Sequence, residues 1–272
     1  MSEFESAALL LALLLVASAL GFIVQNLLRD RHKTRDSVES VRLVITMLVT
    51  FAALVLGLLT SSAKNAFDTE GDSLRVYAID LIRLDQALRD YGTNADPPRV
   101  QLRVYTAAAI ASTWPDEPAP AGDYYPRQVN PVRQGSLESR GLGAMLDRIA
   151  REIEELTPQD GFHAAVLADL RRHMGNVLQT RWQLVEQARS SISTPFLVVL
   201  MLWLIVIFAV FGLTSPRNGL IYVVILLSAL SVSSALFLIL ELETPLSGWL
   251  VIPSAPMRDA LDHQSRPPLP AS

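Results

Sequence analysis

Four long apolar runs, set as two pairs around a polar middle, dominate the hydropathy pattern of this chain. None of them contains Asp, Glu, Lys, Arg or His, and they cover residues 7–28, 43–59, 196–213 and 220–240. A helix rises about 1.5 Å per residue, so each run can cross a hydrocarbon layer about 30 Å thick. Because unpaired backbone N–H and C=O groups are costly in lipid, we predict that all four runs are transmembrane helices.

The composition and the N-terminal residues support a multi-pass membrane protein. Hydrophobic residues make up 50% of the chain and charged residues 18%. A buried helix of a soluble protein explains one apolar run, but not four. Residues 1–6 carry two glutamates and no basic residue, the opposite of a secretory signal peptide. We therefore expect the first run to be a retained anchor, although Ala17–Ala19 resembles a cleavage site.

The second span is predicted to continue as one helix beyond the membrane, as far as Asp90. Apolar residues recur there every seven positions, with a second set at the offset that completes an a/d seam. The two sets are Phe67, Leu74, Leu81 and Leu88, and Tyr77, Leu84 and Tyr91. Turn-forming residues and two prolines in the segment 92–98 are predicted to end this helix.

Three further helices are predicted before the third span, separated in part by a proline-rich loop at 114–135. The first covers 100–113, the second begins at Ser136 and ends at Leu156, and the third runs from Thr157 towards the third span, interrupted only by Pro195. Thr157 and Pro158 are typical of an N-cap and the first helical position. The face expected to pack in the third helix comprises Phe162, Val166, Leu170, Val177, Leu184, Ala188 and Ile192.

The predicted fold class is an all-α membrane protein, with four transmembrane helices in two pairs and an extramembrane helical bundle between spans 2 and 3. The expected domains are the first transmembrane pair (1–60), the bundle (61–195), the second pair (196–240), a membrane-boundary turn with a short helix (241–264), and a disordered tail (265–272).

The polar residues form no recognisable catalytic or metal-binding set. Cysteine is absent, and the four histidines lack metal-ligand spacing. No glycine-rich phosphate loop or nucleophile motif occurs, and the acidic cluster 152–155 is interpreted as a solvated helix face. A net charge of −4 argues against a nucleic-acid partner. We therefore predict no enzymatic activity, no cofactor, no metal site and no nucleic acid.

One face of the second span is a candidate functional surface. Thr46, Thr50, Leu54 and Gly57 fall close together at helical spacings of three, four and seven. Hydroxyl-bearing and small residues let helices approach closely, so helix packing is the simpler explanation. A pore lining is the alternative.

The second candidate is the boundary motif Glu241, Glu243, Pro245 and Gly248, directly after the fourth span. Two carboxylates at a helix C-terminus oppose the helix dipole at a cost of a few tenths of a kcal/mol or more each. We expect one of them to be held by an arginine or by backbone amides. The turn 245–248 is expected to fold the apolar run 249–252 back against the spans, and 254–264 to form a short helix.

Loop charge gives a prediction of topology. The first span has no basic residue before it and five in the connection 29–42 that follows, which places that connection inside. Both termini and the middle domain then share the other side, predicted to be periplasmic. The chain has few lysines and many arginines, a composition that is associated with GC-rich bacterial genomes. The expected location is therefore a bacterial plasma membrane.

Three stretches resemble the bacterial bestrophin-like domain family of unknown function. They are 41–68 along the second span, Ala78–Ile79 with Leu84–Asp85, and 241–261 with its turn and short helix. The resemblance covers nearly the whole chain. It implies a distant likeness to bestrophins, which are pentameric anion channels with a cytosolic soluble domain and with second transmembrane helices that line the pore.

Two functional hypotheses remain open from the sequence. The first is an oligomeric ion channel, with an inorganic ion as its substrate and the second span near the pore. The second is a non-conducting membrane scaffold or sensor, whose bundle binds a partner or relays a signal. A scaffold would bury the Thr46 and Thr50 face against other spans of the same chain, whereas a pore would leave that face open.

Overall fold

All regular secondary structure in the part of the chain that the structure describes is helical. This computed structural model describes residues 3–27, 35–127, 139–187, 194–246 and 248–266. Apart from one short 3-10 turn at Thr93–Ala95, the elements are α1 (Glu3–Leu27), α2 (Arg35–Tyr91), α3 (Asp96–Thr113), α4 (Arg140–Glu154), α5 (Gly161–Gln187), α6 (Thr194–Thr214), α7 (Gly219–Leu242) and α8 (Ala255–Ser265).

The four predicted spans are confirmed. The described residues contain four helices long and apolar enough to cross a membrane, and these are α1, the first part of α2, α6 and α7. The chain divides into two compact units. The membrane unit comprises Met1–Phe67 and Ser191–Glu243, and the bundle unit comprises Asp68–Ser190 and Thr244–Ser272.

In the membrane unit, α1 and α6 cross with their backbones almost touching. A Cβ atom added to Gly21 would lie 2.0 Å from the carbonyl oxygen of Ala209, and one added to Gly212 would lie 2.0 Å from that of Ser18. Such an approach is possible only for glycine, and close contact between backbones is how transmembrane helices gain packing energy without a hydrophobic driving force. Ala17 and Ser18, which resemble a cleavage site in sequence, are buried.

The bundle unit is organised around the extension of α2, as its seven-residue repeat predicts. The seam residues in this unit are at most 2% exposed: Leu74, Tyr77, Leu81, Leu84, Leu88 and Tyr91. Of these, Tyr77 contacts Tyr105 of α3, and Tyr91 makes an edge-to-face contact with His163 of α5. The helix ends at Tyr91, one residue beyond the predicted end, and Gly92 takes a positive φ of 92°.

Two predictions about α5 were wrong. The helix begins at Gly161, and Asp160 rather than Thr157 caps it: Asp160 Oδ1 accepts a hydrogen bond from the His163 N–H at 2.8 Å. Phe162 falls in the first turn and is 63% exposed, so it does not belong to the packed face. The later positions Leu170, Val177 and Leu184 are buried as expected, joined by Leu167 and Met174. Ala188 and Ile192 lie outside the described residues.

The remaining helices start close to their predicted positions. Helix α3 begins at Asp96, four residues before the predicted start, with proline in its first turn. Helix α4 begins at Arg140 after Ser139, and the predicted cap Ser136 lies outside the described residues. Helix α8 agrees with the predicted short helix to one residue at each end. Residues 267–272, expected to form a disordered tail, also lie outside the described part.

Candidate functional site

The candidate face of α2 is open in this chain. Thr46, Thr50, Leu54 and Gly57 are all exposed, and Leu54 has 67% of its surface accessible. In its most apolar stretch, α2 has 11% of residues buried inside the protein, against 28% for each of the other three spans. Relative to the described residues, the face is therefore exposed rather than packed.

A buried stripe on the same helix fixes which way this face points. Ala52, Leu59 and Ala63 are 4%, 5% and 1% exposed and belong to the apolar core that α2 shares with α1, α6 and α7. At about 100° per residue, the four candidate residues lie roughly 120–200° around the helix from this stripe. Thr50, Leu54 and Gly57 are thus directed away from the other described spans of the chain, while Thr46 lies at the flank of the face, about 120° from the stripe.

The two threonines of this face hydrogen-bond to their own helix. Thr46 Oγ1 donates to the carbonyl of Arg42 at 2.9 Å, and Thr50 Oγ1 donates to that of Thr46 at 2.8 Å. Each hydroxyl therefore satisfies its hydrogen without a partner helix. Thr46 also lines a mostly apolar cavity of about 590 Å³ between α2 and the end of α6, which Phe211 and Thr214 help to form.

The boundary motif includes turn residues at 245–246 and a bend at Gly248, and residue 247 lies outside the described part of the chain. The carbonyl of Pro245 accepts a hydrogen bond from the Ile252 N–H at 2.7 Å, and Gly248 adopts a φ of 103°, a conformation that L side chains rarely reach. Glu241 is 3% exposed near the end of α7, and Glu243 is the C-cap residue. That one of these carboxylates is held by an arginine or by backbone amides stays a prediction.

The segment after the turn contacts the bundle unit through Ile252. Trp249 is 87% exposed, and of the run 249–252 only Ile252 is buried. The carbonyl of Ile252 accepts a hydrogen bond of 2.7 Å from Trp114 Nε1, at the end of α3. Ile252 thus makes its described contacts within the bundle unit, and the expectation that the segment folds against the spans stays a prediction. A four-residue run carries no pattern that distinguishes these two partners.

The carboxylate of Glu117, in the loop after α3, binds residues at the start of α8. Glu117 accepts hydrogen bonds from the Ser254 N–H at 3.0 Å and from the Ser254 hydroxyl, and it pairs with Arg258 at 3.1 Å. Burial alone would raise the pKa of Glu117, but the hydrogen bonds from Ser254 and Arg258 outweigh it and hold the pKa below its ordinary value. The sequence did not reveal these contacts because Ser254 and Arg258 lie 137 and 141 residues after Glu117.

A second cluster holds the end of α8. Asp85 on α2 is fully buried and pairs with Arg89 at 2.7 Å and with Arg99 of α3 at 3.0 Å. Arg89 Nη2 donates to the carbonyl of His263 at 2.5 Å, and Arg99 Nη2 donates to that of Gln264 at 3.3 Å. Arginine at a helix C-terminus satisfies carbonyls that have no partner within the helix. The i, i+4 spacing of Asp85 and Arg89 was the available sequence signal.

The core of the bundle also contains polar pairs that the sequence did not reveal. The hydroxyls of Tyr77 and Tyr105 lie 2.5 Å apart, both fully buried. Asp80 accepts a hydrogen bond from the Thr180 hydroxyl at 2.9 Å. The acidic cluster 152–155 is not a purely solvated face, because Glu152 accepts a hydrogen bond from Gln101. These hydrogen bonds connect α2 to α3 and to α5, and they connect α3 to α4.

Comparison with known proteins agrees with the resemblance seen in sequence. The model of the bestrophin-like domain family matches residues 11–257. Among solved structures, a single-substitution variant of a bacterial bestrophin homologue from Klebsiella pneumoniae is similar at 16% identity and a TM-score of 0.62, covering 98% of this chain and 99% of that one. A second variant from the same organism gives a TM-score of 0.65 at 14% identity, covering 96% and 100%.

A structure described as a membrane protein is similar at 15% identity and a TM-score of 0.60, covering 98% of this chain and all of that one. No curated protein matches the sequence. The likeness to these solved structures, all at low identity, shows a shared fold, while the family model covers most of the sequence. The chain therefore belongs to the bestrophin-like domain family and is a multi-pass membrane protein.

Proposed function

We propose that this protein is an ion channel formed by a ring of identical copies, with the α2 face of Thr46, Thr50, Leu54 and Gly57 near the central axis. The observation that supports the proposal is the exposure of this face opposite the buried stripe of α2. A helix with one face packed inside its own chain and a hydroxyl-bearing face directed outwards is suited to line an axis between copies. Family resemblance supports a pentamer.

The chemistry of the face is compatible with a hydrated path. The two threonines bring oxygen atoms to it, and Gly57 leaves room, since a Cβ atom there would meet no other atom within 4 Å. Leu54 adds an apolar position between them, and apolar constrictions can gate a pore by excluding water. The proposed function requires no cofactor and no catalysis.

The alternative is a non-conducting scaffold or sensor. The observation that favours it is a set of apolar side chains that the bundle leaves exposed, including Trp182 at 63% exposure and Val76 at 50%. Such side chains could contact a protein partner instead of neighbouring copies of this chain. In that case the α2 face would contact lipid or a neighbouring copy and would carry no ion.

Flux measurements with single cysteines distinguish the two functions. The natural sequence has no cysteine, so Thr50→Cys introduces the only thiol. The purified protein in liposomes should pass potassium or chloride, and a charged, water-soluble thiol reagent should block the Thr50→Cys variant. Leu227→Cys, on the exposed side of α7, is the control and should conduct unchanged after the same treatment.

A parent protein that conducts neither ion would reject the channel and leave the scaffold as the better hypothesis. A Thr50→Cys variant that binds the reagent in detergent but conducts normally afterwards would reject the placement of the α2 face along the ion path.

We also infer a bacterial plasma membrane as the location, with the termini and the middle domain on one side. Loop charge favours the periplasm for that side, whereas the family resemblance favours the cytosol. A reporter inserted at Gly122, in the described part of the proline-rich loop, decides between them, since a cytoplasmic signal there overturns the prediction from loop charge.

A further inference from the structure

A cavity in the bundle unit, where the start of α3 meets the end of α8, has the features of a binding site. Its volume is about 370 Å³, and its lining includes Arg99, Arg103, Gln264 and Arg266, together with the carboxylate residue Asp96. Three of the seven lining residues are arginines. The cavity is separate from the α2 face that the proposed channel uses.

The charges around the cavity leave an excess of positive charge. Asp85 pairs with both Arg89 and Arg99, so this buried group of three carries one net positive charge. Arg103 and Arg266 add two more, and the exposed Asp96 removes one. The guanidinium of Arg103 lies over the ring of Tyr124, with 5.1 Å from its central carbon to the ring centroid, which fixes its position.

Two polar groups at the cavity are buried without a partner. Gln264 is 3% exposed, and neither its Oε1 nor its Nε2 atom forms a hydrogen bond. The Nε atom of Arg103 is likewise buried and without a hydrogen bond. Buried polar groups are nearly always paired, because leaving one unpaired costs about 1–3 kcal/mol. A ligand that accepts hydrogen bonds would satisfy the N–H groups of Gln264 and Arg103, but not Gln264 Oε1, which needs a donor.

We propose that this cavity binds a small oxyanion, a phosphate or carboxylate group, and that the bound anion joins α3 to the end of α8. Arginine presents several N–H donors in a planar fork that matches the oxygen atoms of such groups. The Gln264 amide is a further donor from α8. A volume of about 370 Å³ accommodates the anionic group together with a small organic body.

The first test uses inorganic phosphate as the probe and the intact, detergent-solubilised protein. Phosphate at millimolar concentration should raise the melting temperature by several degrees relative to sodium chloride at the same ionic strength. Titration calorimetry should show saturable binding. Arg103→Gln should weaken phosphate binding at least tenfold, and Gln264→Leu should weaken it less. Arg172→Gln removes an exposed arginine that pairs with Asp169 on α5, and it should bind phosphate like the parent.

A second arm separates free phosphate from a lipid headgroup. Short-chain phosphatidic acid is compared with phosphatidylcholine in the same measurement. Binding of inorganic phosphate supports a soluble ligand, and binding of phosphatidic acid alone, lost in Arg103→Gln, supports a lipid ligand. The proposal is overturned if neither probe binds, if chloride stabilises equally, or if Arg103→Gln and the parent respond alike. These outcomes do not depend on ion flux, so they are distinct from failure of the channel.

Discussion

The crossing of α1 and α6 makes Gly21→Ala the sharpest test of the membrane unit. The added Cβ atom would lie 2.0 Å from the carbonyl oxygen of Ala209 and 2.9 Å from the backbone nitrogen of Leu213. Carbon atoms in contact are about 3.5 Å apart, so the two helices would have to separate by about 1.5 Å at this point. Both clashing atoms belong to the backbone and cannot rotate away.

The expected cost follows from two opposing effects. Overpacking costs about 1–3 kcal/mol and sometimes more, and a clash with backbone belongs at the upper end. Alanine recovers up to about 1 kcal/mol in helix propensity over glycine. The net destabilisation should therefore be about 2 kcal/mol or more, which corresponds to a fall in melting temperature of about 5 °C.

The assay is the thermal unfolding of the purified protein in one detergent, with Gly57→Ala as the matched control. Both variants make the same substitution within an apolar span, but a Cβ atom at Gly57 would meet nothing within 4 Å. Gly57→Ala should melt at the temperature of the parent or slightly above it. Gly212→Ala should repeat the loss seen for Gly21→Ala, because its Cβ atom would lie 2.0 Å from the Ser18 carbonyl oxygen. If Gly21→Ala melts like Gly57→Ala, the close crossing does not exist.

Two further predictions concern the segment after the fourth span. Glu117 has a lowered pKa in the folded protein, so its stabilising effect is present above the unfolded pKa of about 4.5 and disappears as the pH falls through the folded pKa. Glu117→Gln should thus lower the melting temperature at pH 7 and have little effect in strong acid, and an equal deficit at both pH values would contradict the role of its charge. Gly248→Val should lower the melting temperature because of its φ of 103°, and Glu241→Gln should do so if that carboxylate is paired. Glu155→Gln, at an exposed position, is the control and should leave the melting temperature unchanged. If Gly248→Val and Glu241→Gln melt at the same temperature as this control, the turn adds no stability.

Local patterns in the sequence were sufficient for most of the fold. The spans follow from uninterrupted apolar runs, and the long α2 follows from a seven-residue repeat with no proline to break it. The start of α5 was misplaced because both Thr157 and Asp160 are good N-cap residues, and only the chain path after α4 decides between them. Phe162 was assigned to the packed face because the helical period was extended back into the first turn.

Contacts between distant positions could not be predicted in the same way. Gly21 and Gly212 look like ordinary small residues until the two helices are placed side by side. The i, i+4 spacing of Asp85 and Arg89 predicts their ion pair. No spacing in the sequence predicts that Arg99 also pairs with Asp85 or that both arginines bind the end of α8. The expectation that Glu152 is merely solvated failed because its partner Gln101 belongs to another helix. Hydrogen bonds of this kind depend on tertiary packing, which a single sequence does not encode as a pattern.

The hydrogen bonds of the two α2 threonines have a consequence for the kind of ion that this face can accommodate. Each hydroxyl proton is already directed at a carbonyl on its own helix, so the outward side of each oxygen presents lone pairs. A cation passing this face meets acceptors that can replace part of its water shell, whereas an anion meets no donor unless a helix bond breaks. In the ring of copies proposed above, Thr46 and Thr50 would therefore form two rings of acceptor oxygens that favour cations, unlike the anion selectivity that the family resemblance implies.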